Sequence, residues 1–106
     1  MQDQTVIWVI ADVVAEHYQV PVERIMGMTR HAKYARPRQI AYYLCVRIGY
    51  SLTTTGRLFR KNHATILYGI RNVQELCSDI VFNHLMESLE DQARRRLAAI
   101  REHQWG

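Results

Sequence analysis

Three cations and four small or polar side chains are crowded into Arg57-Leu58-Phe59-Arg60-Lys61-Asn62-His63-Ala64-Thr65, with no acid among them. These residue types suit the recognition of duplex DNA. Arg57, Arg60 and Lys61 can meet phosphates. Asn62 can pair bidentately with adenine, His63 can donate to or accept from a guanine or thymine edge, and Ala64 and the Thr65 methyl can touch a thymine methyl. A second cluster is Thr29-Arg30-His31-Ala32-Lys33, followed by Arg36 and Arg38. A basic loop ahead of a helix can lay an arginine into a narrow minor groove, which attracts guanidinium. Lys33, Arg36 and Arg38 are candidates for the DNA backbone. Ser51 and Thr53 beside a helix start are candidate phosphate anchors.

Both clusters lie in a stretch of one-sided charge. Between Glu23 and Glu75 there is no acidic residue, but there are ten lysines and arginines. Residues 1–23 carry four acids and no Lys or Arg, and residues 75–106 carry six acids and four arginines. The formal net charge of +4 thus hides a strongly basic middle. A solubilising face intersperses both signs, whereas a long stretch of one sign fits a polyanion. DNA presents one phosphate charge per ~1.7 Å of duplex axis.

The same charge pattern argues against catalysis. Metal-dependent phosphodiester chemistry gathers carboxylates at the site, and the basic stretch has none. No enzyme activity, metal or cofactor is expected. No Gly-rich phosphate loop ending in Lys-Ser or Lys-Thr is present, so no nucleotide cofactor is expected either. RNA is disfavoured because no aromatic platform interleaves the cations, although Tyr34, Tyr42 and Tyr43 are nearby. Cys45 and Cys77 fall in apolar periodic contexts and are expected to be buried, reduced thiols. With neither a signal segment nor a membrane span, the expected location is the cytoplasm, in association with the nucleoid.

Helical periodicity dominates, so the expected fold is all-α: a helix-turn-helix bundle of about five to six helices in one domain over residues 1–106. Its core spans about 5–77, and an extra amphipathic helix occupies about 79–103. Val6, Ile7, Val9, Ile10, Val13, Val14 and Tyr18 recur three and four apart and mark a first helix, with Asp3 and Thr5 as possible caps. Pro21 suits the first turn of a short helix through Ile25 and Met26. Residues 27–34 read as a basic loop. Ile40, Ala41, Leu44, Cys45 and Ile48 make the stripe of a helix over about 35–48, with Arg36 and Arg38 projecting from its first turn and Gly49 as its stop. Cations at a helix N-terminus oppose the macrodipole by ~0.3–1 kcal/mol each, which suggests a nearby anion. Ser51 caps a short helix over Leu52–Leu58. A three-residue turn leads to Asn62, the cap of a helix from His63 to about Cys77. Two helices across such a turn form a helix-turn-helix, the second being the reader. The last helix carries a stripe of Ile80 (with Val81), Leu85, Leu89, Ala93, Leu97 and Ile100. Glu90–Arg94 and Asp91–Arg95 are i,i+4 pairs, which makes Arg94-Arg95-Arg96 a solvent face rather than a second DNA contact.

The strings Ala35-Arg36-Pro37-Arg38-Gln39-Ile40-Ala41 and Ser51-Leu52-(x3)-Gly56-Arg57-(x)-Phe59-(x2)-Asn62-His63-Ala64-Thr65-Ile66-Leu67, with Val14-Ala15-Glu16-His17-Tyr18 ahead of them, resemble the C-terminal DNA-binding domain of the bacterial replication initiator DnaA. The resemblance runs from about Ile7 to Leu76. It implies major-groove contacts from Asn62, His63, Ala64 and Thr65, minor-groove reading by Arg30, and backbone contacts around Arg38, Ser51, Leu52 and Thr53. Three departures stand out against the family pattern: Asn62 replaces an acid, Ala64 replaces the first of two threonines, and Arg60-Lys61 replaces a glycine-containing segment in a shortened turn. An aspartate accepts from cytosine whereas asparagine prefers adenine. The preferred sequence is therefore expected to differ from the family's usual box, with a larger non-specific component.

The function expected is sequence-specific binding of double-stranded DNA by a freestanding reader domain. It would regulate replication initiation or transcription from DnaA-box-like sites without ATPase activity. The alternative is a protein–protein adaptor acting through residues 79–103, as a homodimer seam or toward a replication or transcription protein, with weak DNA binding.

Overall fold

The computed structural model describes residues 2–27 and 31–105, with side chains described as far as residue 102. Among them are six α-helices and one 3₁₀ turn: α1 (Asp3–Tyr18), α2 (Val22–Met26), the turn Ala32–Tyr34, α3 (Ala35–Ile48), α4 (Leu52–Phe59), α5 (His63–Leu76) and α6 (Ile80–Trp105). None is long and apolar enough to cross a membrane.

Three helix ends are built alike. α1 stops at Gln19, α3 at Gly49 and α4 at Arg60, each with positive φ. In each case the amide of that residue and the one after it fold back on the final turn, as in Val20 N to Ala15 O at 3.1 Å and Lys61 N to Gly56 O at 2.9 Å. Such a reversal satisfies carbonyls that the helix leaves without partners. Only one of the three positions is a glycine. The starts are capped by short polar side chains: Ser51 Oγ accepts from Thr54 N at 3.1 Å, Asn62 Oδ1 from Thr65 N at 2.8 Å and Asp79 Oδ1 from Phe82 N at 3.0 Å. Asp3 and Thr5 do not cap α1. Gln2 holds the cap position without a side-chain bond, and Asp3 instead accepts from the Tyr50 hydroxyl at 3.1 Å. Burial and then this bond push the Tyr50 hydroxyl up to about 12.

The core joins Ile7, Ile10, Val13 and Val14 of α1 to Ile40, Leu44 and Cys45 of α3 and to Ile66, Ile70 and Val73 of α5. α5 lies close on α3 because Gly69 has no side chain: a Cβ there would come within 3.0 Å of Gln39 Cγ and 3.2 Å of Tyr42 Cδ2. Residues 32–34, expected to be loop, form the 3₁₀ turn, which runs straight into α3 and is capped by His31 Nδ1 accepting from Lys33 N at 3.3 Å. Cys45 is buried as expected and burial pushes its thiol up, but Cys77 is only half-buried.

α6 packs on α1 and α3, with Met86, Leu89, Ala93 and Leu97 buried. Its apolar stripe starts later than expected. Ile80 and Val81 are 71% and 75% exposed, because a stripe through positions 86, 89, 93 and 97 puts position 80 well round the helix from it. The expected Glu90–Arg94 and Asp91–Arg95 pairs form, at 3.0 and 2.7 Å. Arg96 instead reaches across to Asp12 at 3.2 Å and to Glu16. It therefore docks α6 on α1 rather than facing solvent as Arg95 does.

Candidate nucleic-acid interface

α4 and α5 are joined by Arg60, Lys61 and Asn62, a three-residue turn. Gly56 makes the turn possible, since a Cβ there would lie 2.9 Å from the Lys61 carbonyl oxygen. Arg60 takes the left-handed conformation with φ 58, where glycine would be unstrained. Its side chain is exposed, as is that of Arg57.

At the leading end of α5, Asn62, His63, Ala64 and Thr65 are all exposed, while Ile66, Gly69, Ile70 and Val73 face the interior. The structure thus brings the four expected base readers together on one free helix end. The cap restricts one of them. The Asn62 side-chain oxygen is already accepting from Thr65 N, so its amide NH2 is the group left to offer. Bidentate pairing with adenine would compete with a cap worth about 1 kcal/mol.

Ser51 and Thr53 are exposed and Leu52 is half-buried at the start of α4. The Ser51 hydroxyl accepts from Thr54 N and donates to Thr54 Oγ1 at 3.0 Å. Lys33 is exposed, its ammonium 5.1 Å from the centre of the Tyr34 ring, and Arg36 is exposed one turn further on. Arg30 lies outside the described residues.

Arg38 does not project from α3. Its side chain is 8% exposed, and its Nε and Nη2 donate to the Arg24 carbonyl at 3.1 and 2.7 Å. α2 has only five residues, so its carbonyls lack intrahelical partners, and a buried guanidinium supplies donors for one of them. Arg47 is likewise drawn to the far side, bonding Glu90 Oε1 at 2.9 Å. Arg38 and Arg47 thus serve the fold.

The chain matches the family model described as bacterial DnaA protein helix-turn-helix over residues 7–73. The chain belongs to that family. Similar proteins include the chromosomal replication initiator protein DnaA of Aquifex aeolicus (strain VF5), 40% identical over 87 residues that make up 79% of this chain and 22% of that protein. The DnaA of Ruegeria sp. (strain TM1040) is 42% identical over 65 residues, 59% of this chain and 14% of that one. Among solved structures, a DNA replication initiation factor superposes with a TM-score of 0.78 at 36% identity over 88% of this chain and 29% of its own. Replication initiator DnaA bound to AMPPCP and single-stranded DNA gives 0.72 at 34% identity over 85% and 28%. The chain spans less than a quarter of the length of these two DnaA relatives.

Two features of this DnaA-type helix-turn-helix escape a motif-based reading. Tyr68 on α5 is 66% exposed and, with Arg38, Gln39, Lys61 and Thr65, lines a cleft of about 170 Å³ between α3 and α5. The spacing from Ala64 and Thr65, four and three residues, is a signal that could have found it. Trp8 on α1 is 37% exposed and borders a larger hollow of about 460 Å³ with Arg57 and Arg60. Its position off the apolar stripe of α1 was equally readable. Among the described residues no group of three or more His, Cys, Asp or Glu side chains could hold a metal ion.

Proposed function

We propose that this chain binds double-stranded DNA in a sequence-specific way, with the leading end of α5 in the major groove. Asn62, His63, Ala64 and Thr65 would face base edges. Arg57, Arg60 and Lys61 on one side, and Lys33, Arg36, Ser51, Leu52 and Thr53 on the other, would follow the backbone, with Arg30 in the minor groove. The observation that supports this most is the free helix end itself. Four readers are exposed together, beside cations, in a stretch of chain without a single acid. Such an end also favours anions through its unpaired amides. Arg38 enters the proposal as the residue that holds α3 to α2, and hence positions the basic segment between them.

The role we infer is occupation of DnaA-box-like sites to regulate replication initiation or transcription, in the cytoplasm and with no ATP hydrolysis by this chain. Likeness to replication initiators supports the class of site. Because the Asn62 oxygen is held by its cap, the base opposite it should present an acceptor, such as guanine O6 or thymine O4. Selection of preferred duplexes from a random pool, followed by affinity measurements, tests the whole proposal. His63→Ala or Thr65→Ala should cost ~1–3 kcal/mol on the preferred site and blur selectivity there. Equal losses on scrambled DNA would remove both from base reading.

A second reading rests on the exposure of Ile80 and Val81 at the start of α6. A protein partner or a second copy covering them would make residues 79–103 an adaptor surface. Ile80→Asp with Val81→Asp would then abolish that association while leaving duplex binding intact. Unchanged sedimentation and unchanged partner binding would dismiss the adaptor.

A further inference from the structure

We propose that Tyr68 reads a thymine methyl one helical turn beyond the Asn62–Thr65 edge, an inference that rests on α5 being the major-groove helix. Single exposed aromatic residues are ordinary on protein surfaces; what distinguishes Tyr68 is where it stands. At about 100° per residue, positions 64, 68 and 71 fall within a narrow stripe of α5. Ala64, Tyr68 and Arg71 are all exposed, whereas Gly69 and Ile70 beside Tyr68 are buried. Gly69, about 100° further round the helix, lies against Gln39 and Tyr42. Tyr68 thus stands at the edge of the α3–α5 contact, on the exposed stripe that continues from Ala64.

Tyr68 is also rooted beside the interface. It shares the cleft between α3 and α5 with Lys61 and Thr65, and its hydroxyl has no hydrogen-bond partner among the described residues. Four residues of helix advance ~6 Å from Ala64, about two base-pair steps at ~3.4 Å each. With α5 inclined along the groove, the ring would come over a base pair that the leading turn does not reach. The thymine methyl is the one apolar group that the major-groove edges display. An aromatic ring left 66% exposed in the free protein would be covered by it, and the phenol oxygen would remain free to meet the adjoining phosphate.

The test compares the wild-type protein with Y68F, Y68A and H63A in selections on random duplexes. Deoxyuridine is then placed for thymidine at each preferred position, which removes only the methyl. One thymidine, about two steps from those lost in H63A, should lose about fourfold in affinity when demethylated, the worth of one buried methyl-sized group. Y68F should show the same loss. Y68A should show none, and its selected site should be degenerate at that pair. Because Tyr68 is exposed, Y68A should melt like the wild type. The inference is overturned if the wild type and Y68A select the same site while H63A does not, or if Y68A weakens every sequence equally, as loss of a phosphate contact would. A wild-type protein that binds no duplex would overturn both this inference and the function on which it rests.

Discussion

Arg60 and Arg38 both belong to the basic stretch, yet the fold uses them in opposite ways. Arg60 is exposed and holds a left-handed backbone, a conformation that costs a residue with a β-carbon ~1–2 kcal/mol. Arg60→Gly is expected to raise stability by about 1 kcal/mol in chemical denaturation. It should also lower the slope of log affinity against log salt by about 1. A strained cation at the turn is accounted for if its charge is needed at a phosphate. Arg38 is buried, and its two bonds to the Arg24 carbonyl should make Arg38→Ala cost about 1.5–3 kcal/mol of stability. Its salt slope should not change. A reduced slope with an unchanged melting temperature would return Arg38 to the phosphates.

The turn between α4 and α5 is the element on which the orientation of α5 depends, and Gly56 is its narrowest point. A methyl at position 56 would strike the Lys61 carbonyl at 2.9 Å, and this obstacle is backbone. Gly56→Ala gains about 1 kcal/mol in helix propensity, but overpacking costs typically ~1–3 kcal/mol. The net effect expected is a lower unfolding midpoint together with weaker duplex binding, since the turn must open to admit the methyl. Binding unchanged alongside a lower midpoint would show that the turn tolerates the shift.

Much of this element was readable from the chain. Ser51 and Asn62 are good capping residues in the places where helices begin, and Gly49 ends α3 as a glycine should. The stops at Gln19 and Arg60 were less visible, because neither residue type favours positive φ. Period alone put Arg38 on the first turn of α3, but could not say that the short α2 lies against it. In α6 the continuous run Ile80-Val81 imitated the start of a stripe that in fact takes Met86. Tyr68 lies beyond the motif, which ends near Thr65, and only the helical spacing from Ala64 marks it.

At the scale of the molecule, α6 is fastened by charge as well as by its apolar stripe. Glu90 accepts from Arg47 and Arg94, and Arg94 Nη2 also donates to the Arg47 carbonyl at 2.9 Å, where α3 is ending. Burial would raise the Glu90 carboxyl, but the bonds from Arg47 and Arg94 outweigh it and hold the group below its ordinary 4.5. Glu16 is lowered in the same direction, chiefly by its bond to Arg96. A carboxyl whose folded value is depressed stabilises the fold above its ordinary value, and that contribution fades as pH falls through the depressed one. The melting temperature should therefore hold at neutral pH and drop in acid. Glu90→Gln should melt lower than the wild type at pH 7 and change less on acidification. Parallel pH profiles for the two proteins would show that Glu90 does not fasten α6.

These pairings also settle where charge is left over. Arg47, Arg94, Arg95 and Arg96 are each matched by carboxylates on α1 or α6, and residues 1–23 and 75–106 together hold ten acids and four arginines, so these flanking segments carry no excess of positive charge. Arg57, Arg60 and Lys33, by contrast, lie in a stretch of sequence without an acid. The molecule therefore carries a permanent electrical lopsidedness. In the field of a polyanion it would feel a torque before any contact forms, and would arrive with α5 leading. Sensitivity to ionic strength should then reside mainly in the rate of arrival, and much less in the time the protein stays once seated.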